Sequence, residues 1–191
     1  LKQLYIIAGC NGAGKTTASF NILKEYLDCD EFVNADEIAK GLSPLNPDAV
    51  AFKAGRIMIN RIDDLMHEGV SFAFETTLAS KSHITRIKNA KEMGYQINML
   101  FFWLSSADLA VKRVALRVEH GGHNIPENVI RRRYILGVKY LFSNYYELCD
   151  ELYLYDNSEG LPQLIAEFGK GSDKILNLKT FNFVKQQYER S

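Results

Sequence analysis

The chain has 191 residues, a length that fits one domain spanning 1–191. Its 23 Lys+Arg against 23 Asp+Glu leave no net charge at pH 7, which argues against a cationic nucleic-acid coat or an acidic solvating tail. With 47% hydrophobic and 24% charged residues the composition is globular, and no apolar run reaches the roughly 18–20 residues of a membrane helix.

In chain order, Leu4–Ala8 reads as a buried strand. Lys15–Leu27 reads as a helix, with Phe20, Leu23 and Leu27 at three- and four-residue spacing. Phe32–Asn34 is a short strand. Pro47–Glu68 is a helix with proline in its first turn and Phe52, Ile59, Ile62 and Met66 on one face. Ser71–Glu75 is a strand and Lys81–Met93 a helix. Gln96–Leu104 is the most apolar strand, Ala107–Val118 a helix, 119–126 a loop and Glu127–Leu148 a helix. Leu152–Tyr155 is a fifth strand. Leu164–Phe168 and Ile175–Leu178, joined through GKGSD, read as a terminal hairpin. Alternating strands and helices predict an α/β three-layer sandwich around a mainly parallel five-stranded sheet, with the small hairpin at its end. The opening LKQLYIIAG leaves no room for a leader. Cys10, Cys29 and Cys149 lack metal-ligand spacing and suit a reducing, cytoplasmic setting.

The sharpest motif is Gly9-Cys10-Asn11-Gly12-Ala13-Gly14-Lys15-Thr16-Thr17, a Walker A phosphate loop between a strand and a helix. Phosphate oxygens need several donors converging from one side. Backbone N–H groups of a tight glycine loop supply them, and the helix N-terminus adds its dipole. Lys15 offers a point charge to the β- and γ-phosphates, and Thr16 a hydroxyl to Mg²⁺. Cys10 carries no redox role.

Ligands of open α/β sheets lie beyond the carboxyl ends of the strands, where Asp36, Glu75 and Asp156 fall. Asp36 suits a base for an attacking hydroxyl; its bland alternative is a helix cap. Glu75 ends an apolar strand, as a Walker B acid does, and Thr76 follows it. It suits a magnesium-bound water or a substrate hydroxyl. Asp156 is a weaker rival for the metal, and Asn157-Ser158 beside it could touch the base.

Between Lys112 and Lys139 lie seven cations (Lys112, Arg113, Arg117, Arg131, Arg132, Arg133 and Lys139) against Glu119 and Glu127, a local charge of +5. They flank Gly121-Gly122. This suits a lid over about 112–133 whose arginines reach a transferring phosphoryl and withdraw. Arg117 with Arg132 or Arg133 are the candidates; Arg131 and Lys139 read as a solvated face. His120 and His123 read as loop structure, and Tyr134, Tyr140, Tyr145 and Tyr146 as packing.

GCNGAGKTT, NADEIAKGLSP, FETTLAS, RVEHGGHNIPENVIRRRY and LYDNS, in that order, resemble the zeta-toxin-like family of P-loop kinases, in particular its short members. The resemblance covers roughly Leu4 to Ser158 and implies a nucleotide-kinase-like fold. It further implies transfer from ATP with Mg²⁺ to a hydroxyl of a small molecule, in the toxins the sugar of UDP-N-acetylglucosamine, and an antitoxin protein as partner. By this resemblance Gly9, Asn11, Gly12, Ala13, Gly14, Lys15, Thr16 and Thr17 hold the nucleotide. Thr16 and Glu75 serve the metal, Asp36 is the base, and Asp36, Glu75 and Thr76 meet the substrate. Lys15, Asp36, Arg117, Arg132 and Arg133 form the catalytic set. Two other classes compete: a regulatory ATPase or nucleotide-binding module, and a polynucleotide 5′-hydroxyl kinase. Zero net charge and the lack of interleaved aromatic and basic residues count against the last.

Overall fold

The computed structural model describes the chain except residues 26, 28, 123, 170, 172 and 191 and the side chains of residues 20, 21, 24 and 25. The expected roles of the Phe20 side chain and of His123, and part of the hairpin link, lie outside the described residues.

A seven-stranded sheet runs in the order β2-β3-β1-β4-β5-β6-β7. Its strands are β1 (Lys2–Ala8), β2 (Phe32–Val33), β3 (Phe72–Thr76), β4 (Tyr95–Trp103), β5 (Glu151–Asp156), β6 (Gln163–Gly169) and β7 (Lys174–Ile175). β1 to β5 are parallel, as alternation with helices requires. The expectation of five strands with a separate hairpin is corrected to seven in one sheet. β6 turns back antiparallel onto the free edge of β5, and β7 pairs with β6, so edge hydrogen bonding draws both into the sheet.

The helices are α1 (Lys15–Glu25), α2 (Ala35–Leu42), α3 (Ala51–Glu68), α4 (Ile84–Glu92), α5 (Ala107–Glu119), α6 (Glu127–Tyr140) and α7 (Leu178–Glu189). On one sheet face Leu4, Ile6, Phe74, Met99 and Phe101 join Met58, Ile62 and Leu65 of α3, Ile87 of α4 and Phe181 of α7. On the other, Ile7, Ala73, Leu100 and Phe102 join Ala18 and Leu23 of α1 and Ala110 and Val114 of α5. The alternation of β1 residues between the faces is the period-two pleat. β4 is buried along Met99–Trp103 because helices cover both its faces.

Local departures have physical causes. Pro47–Val50 forms a 3₁₀ turn, so α3 starts at Ala51 and buries Ala54, Met58, Ile62, Leu65 and Met66. Phe52, expected on the buried face, is 83% exposed. The helix expected over Glu127–Leu148 ends at Tyr140 and continues as a π turn and a 3₁₀ turn. In place of a strand through Leu178, the Asn177 side chain accepts from the Thr180 N–H and starts α7. None of the three cysteines is in a disulfide. Among the described residues no helix is long and apolar enough to cross a membrane.

Candidate active site

Parallel strands deliver their carboxyl ends to one edge, and the register Ile7 to Glu75 and Ala8 to Thr76 sets the end of β3 beside the start of the phosphate loop. Gly12 and Gly14 have φ of +78° and +82°, where a side chain is strained. A Cβ on Gly12 would lie 2.8 Å from the Ala110 carbonyl oxygen, and one on Gly14 would strike the Asn157 amide. Asn157 is buried and donates from Nδ2 to the Ala13 carbonyl at 2.8 Å, so the segment after β5 buttresses the loop.

Lys15 opens α1 and is only 6% exposed. Its Nζ donates to the Cys10 carbonyl at 3.0 Å and lies 3.4 Å from Glu75 Oε1. The other carboxylate oxygen of Glu75 accepts from Thr16 Oγ1 at 2.8 Å and from Asn34 Nδ2 at 2.9 Å. A largely covered carboxylate is thus held by one cation and two neutral donors, and the lysine is aimed into the loop. Burial pushes the Cys10 thiol up to about 11 against the opposing pull of Lys15 and Arg113, which keeps it an unreactive neutral group.

Asn34 is the N-cap of α2; its Oδ1 accepts from the N–H groups of Asp36 and Glu37 at 2.8 and 3.4 Å. The capping job therefore falls to Asn34, and Asp36 stands in the first turn. Asp36 lines two small adjoining cavities. One, about 200 Å³, is bounded by the phosphate loop, Thr16, Thr17, Glu75, Arg113 and Arg117. The other, about 250 Å³, is bounded by Asn34, Met58, Thr76, Thr77, Ser80, His83 and Arg133. Asn11, Lys15, Asp36 and Glu75 line both. A third cavity, about 620 Å³, opens beside the loop between α1, Arg113 and the segment after β5, with Thr17, Tyr155, Asn157, Leu161 and Pro162 in its wall.

A sharp turn after β3 shapes the second cavity. Leu78 has φ +56° and a fully buried side chain, and its N–H donates to Thr76 Oγ1 at 3.1 Å. The Tyr145 hydroxyl donates to the Ser80 carbonyl at 2.6 Å and ties the turn to the helical layer.

Of the expected arginines, Arg117 lines the phosphate cavity with Arg113, whose NH2 also donates to the Ser158 carbonyl at 2.8 Å. Arg133 reaches from α6 and donates from NH1 to Asn11 Oδ1 at 3.1 Å. Burial lowers its pKa, the Asp36 carboxylate opposes that shift, and Arg132 adds to it. Arg132 itself is exposed and lines none of these cavities. Arg131 pairs with Asp108 and Glu127, a solvated cluster as expected. Asp156 accepts from the N–H and hydroxyl of Ser158 and closes the turn after β5, away from the metal role considered for it. Asn34, Arg113, Thr77, Ser80 and His83 complete the site without having been singled out as site residues, and Asn157, considered for the nucleotide base, holds the loop through the Ala13 carbonyl. Of these, Asn34 carried a readable signal, an asparagine directly before a short helix.

No cluster of three or more His, Cys, Asp or Glu suited to a metal is found among the described residues. The Thr16 hydroxyl and Glu75 carboxylate are nevertheless hard oxygen donors side by side. That donor set fits Mg²⁺, which is bound by one or two protein oxygens with phosphate and water completing the shell.

Together the loop, its lysine and the cavities on either side define the class: a P-loop domain of the nucleotide-kinase-like fold with a phosphate-binding site. The zeta toxin family profile matches residues 2–140, and the chain belongs to that family. An uncharacterized protein of Haemophilus influenzae is 34% identical over 128 residues, 66% of this chain and 88% of its own. Among solved structures, a chain of the AvrRxo1-ORF1:-ORF2 complex with ATP superposes with TM-score 0.75 at 16% identity over 96% of this chain. This chain spans 63% of that one. The PezAT toxin-antitoxin system of Streptococcus pneumoniae matches with TM-score 0.66 at 14% identity, over 99% of this chain and 87% of its own.

Proposed function

We propose that the protein moves the γ-phosphoryl of ATP to a hydroxyl of a small molecule seated in the cavity of Thr76, Thr77, Ser80, His83 and Arg133. The observation that carries this reading is that Lys15, Asp36 and Glu75 line both that cavity and the phosphate cavity. A donor phosphoryl and an acceptor hydroxyl entering from the two sides meet at the same three side chains. The cavity beside Thr17, Arg113, Asn157 and Leu161 suits the adenine base.

In this mechanism the triphosphate takes Lys15 from Glu75, and Arg113 and Arg117 close on the transferring group. Asp36 orients the acceptor hydroxyl and accepts its proton late. The acceptor oxygen bonds to phosphorus as the β–γ bridge breaks, and ADP leaves. Mg²⁺, held by Thr16 and through water by Glu75, would supply charge for the phosphates. Residues 112–133 act as a lid within a single domain over 1–191. Arg133, already on Asn11, is the arginine of α6 in play. The acceptor is a nucleotide sugar such as UDP-N-acetylglucosamine, in keeping with the family. An antitoxin protein is the expected partner, since the similar PezAT protein is part of a toxin-antitoxin system. An ATP-using enzyme with three free thiols suits the cytoplasm.

ADP release measured across nucleotide sugars, nucleosides, 5′-hydroxyl oligonucleotides and water alone tests the reading. Turnover that depends on a nucleotide sugar supports it. ADP release no faster with any acceptor than with water replaces it with an ATPase.

A further inference from the structure

His83 sits at the start of α4 and is only 8% exposed, yet it lines the proposed acceptor cavity. The Phe74 ring covers it at 4.9 Å between centroids, tilted by 34°. Its Nδ1 is sealed from solvent and has no hydrogen-bond partner. Nε2 is not among the sealed, partnerless atoms, and the residue lines the cavity, so Nε2 is the nitrogen assigned to the cavity.

A neutral imidazole has one N–H and one lone pair. Buried N–H groups without partners are rarer than under-used acceptors, because an orphaned donor loses its one hydrogen bond outright. The sealed, partnerless Nδ1 is therefore the bare nitrogen, and the proton is on Nε2. Burial, and then the charge of Arg86, lowers the pKa to about 4, so the ring stays neutral at ordinary pH. Arg86 is held by Asp63 at 2.9 Å and is not itself a donor to the cavity.

The cavity thus offers donors of different kinds. Arg133 is cationic and suits a charged oxygen. His83 offers an uncharged N–H backed by the Phe74 ring, in a cavity that Met58 also lines.

We infer that His83 is a positioning residue for the acceptor, donating from Nε2–H to a neutral oxygen, a carbonyl or an ether, of the molecule whose hydroxyl is phosphorylated. The inference rests on the acceptor reading above and narrows it: a molecule with only hydroxyls and charged oxygens leaves this donor unpaired. The donor acts on binding rather than on the transferring phosphoryl. Its loss is felt in KM for the acceptor more than in kcat.

Long-range ¹H–¹⁵N spectra of the ¹⁵N-labelled protein, with the His83 ring assigned through His83→Gln, read the tautomer directly. The expected ring has Nε2 protonated and Nδ1 bare at pH 7. A proton on Nδ1 overturns the inference whether or not any acceptor is turned over. UDP-N-acetylglucosamine, added with Mg²⁺ and a non-hydrolysable ATP analogue, is expected to shift the Nε2 signal. His83→Phe is expected to raise KM for UDP-N-acetylglucosamine about ten-fold with a much smaller change in kcat, and His83→Gln, which keeps an N–H donor, to recover most of it. Equal KM values in folded His83→Phe and wild type overturn it. Failure of the wild type to use UDP-N-acetylglucosamine removes that acceptor, and the tautomer then decides for or against the N–H donor on its own.

Discussion

Asn34 offers the sharpest test of how the two sides of the site are joined. Its Oδ1 caps α2 through Asp36 and Glu37, and its Nδ2 donates to Glu75 at 2.9 Å. Asn34→Ala removes both. The lost cap costs about 1 kcal/mol and the lost bond to a largely covered carboxylate roughly 1.5–3, so stability should fall on the order of 2.5–4 kcal/mol. Urea unfolding reads this as a lower midpoint at unchanged slope. The freed first turn of α2 carries Asp36, and a displacement of an ångström should lower kcat by roughly 10²-fold. Asn34→Asp separates the two jobs. Aspartate caps as well as asparagine, but it sets a second carboxylate against Glu75. One of the pair then has a folded-state pKa raised above its unfolded value. A raised pKa stabilises fully below the unfolded value, near ~4 for a carboxyl, and the benefit is lost as pH rises through the folded value. The stability gap between Asn34→Asp and wild type should therefore be small near pH 4 and wide at pH 7. A wild-type midpoint for Asn34→Ala, or a pH-independent gap for Asn34→Asp, would refute the linkage.

Lys15→Ala should lower ATP turnover by about 10²–10³-fold in a protein with unchanged circular dichroism; wild-type turnover would remove the phosphate-loop role. Asp36→Asn should lower kcat by roughly 10²–10⁴-fold and barely change ATP affinity, whereas Glu75→Gln should weaken the Mg²⁺ dependence. An Asp36→Asn enzyme with intact kcat would leave Asp36 without the base role. Hydrogen exchange over 112–133 should slow with Mg²⁺ and a non-hydrolysable ATP analogue, and unchanged exchange at saturation would count against a lid. The His83 ring favours its neutral form in the fold, with a pKa lowered from 6.5 to about 4 by burial and then Arg86. That stabilisation is complete above 6.5 and is lost as pH falls towards 4, so His83→Gln should show a flatter acid limb in urea midpoints. Parallel limbs in the two proteins would assign the acid loss to other groups.

The parallel strands and the phosphate loop were legible because each is a local pattern. An apolar run followed by GCNGAGKTT needs no distant partner to be read. The α3 face was partly legible: Ile62 and Met66 are buried as expected, but the buried stripe centres on Ala54, Met58, Ile62 and Leu65, and Phe52 in the first turn falls outside it and is exposed. The hairpin was half legible. β6 and β7 are there, but the segment from Leu178 is helical, with only Phe181 and Val184 buried, so its apolar signal is weak. The proposed acceptor cavity was the least legible part. Met58, Ser80, His83 and Arg133 come from α3, the segment after β3 and α6, and only the packing of the helices against the sheet brings them to Asp36. Arg132 and Arg133 are adjacent in sequence and part company because a helix turns neighbouring side chains about 100° apart. One lies on Asn11 and the other in solvent.

The two halves of the site are held in physically different ways. The phosphate loop is a contiguous segment fixed by sterics: its glycines leave no room for a Cβ against Ala110 and Asn157. The proposed acceptor side is assembled from several elements through side-chain hydrogen bonds, and Glu75 lines both cavities. One of its oxygens faces the Lys15 ammonium; the other accepts from Thr16 and from the Asn34 amide that caps α2. On the proposed mechanism, an anion that draws Lys15 towards itself would leave this carboxylate to Thr16 and to the Asn34 amide that caps the helix carrying Asp36. Binding free energies are reciprocal: whatever the filled phosphate loop contributes to the order of α2, a well-ordered α2 returns to binding in the loop. On the proposed reading, donor and acceptor sites would be coupled through one carboxylate and one amide.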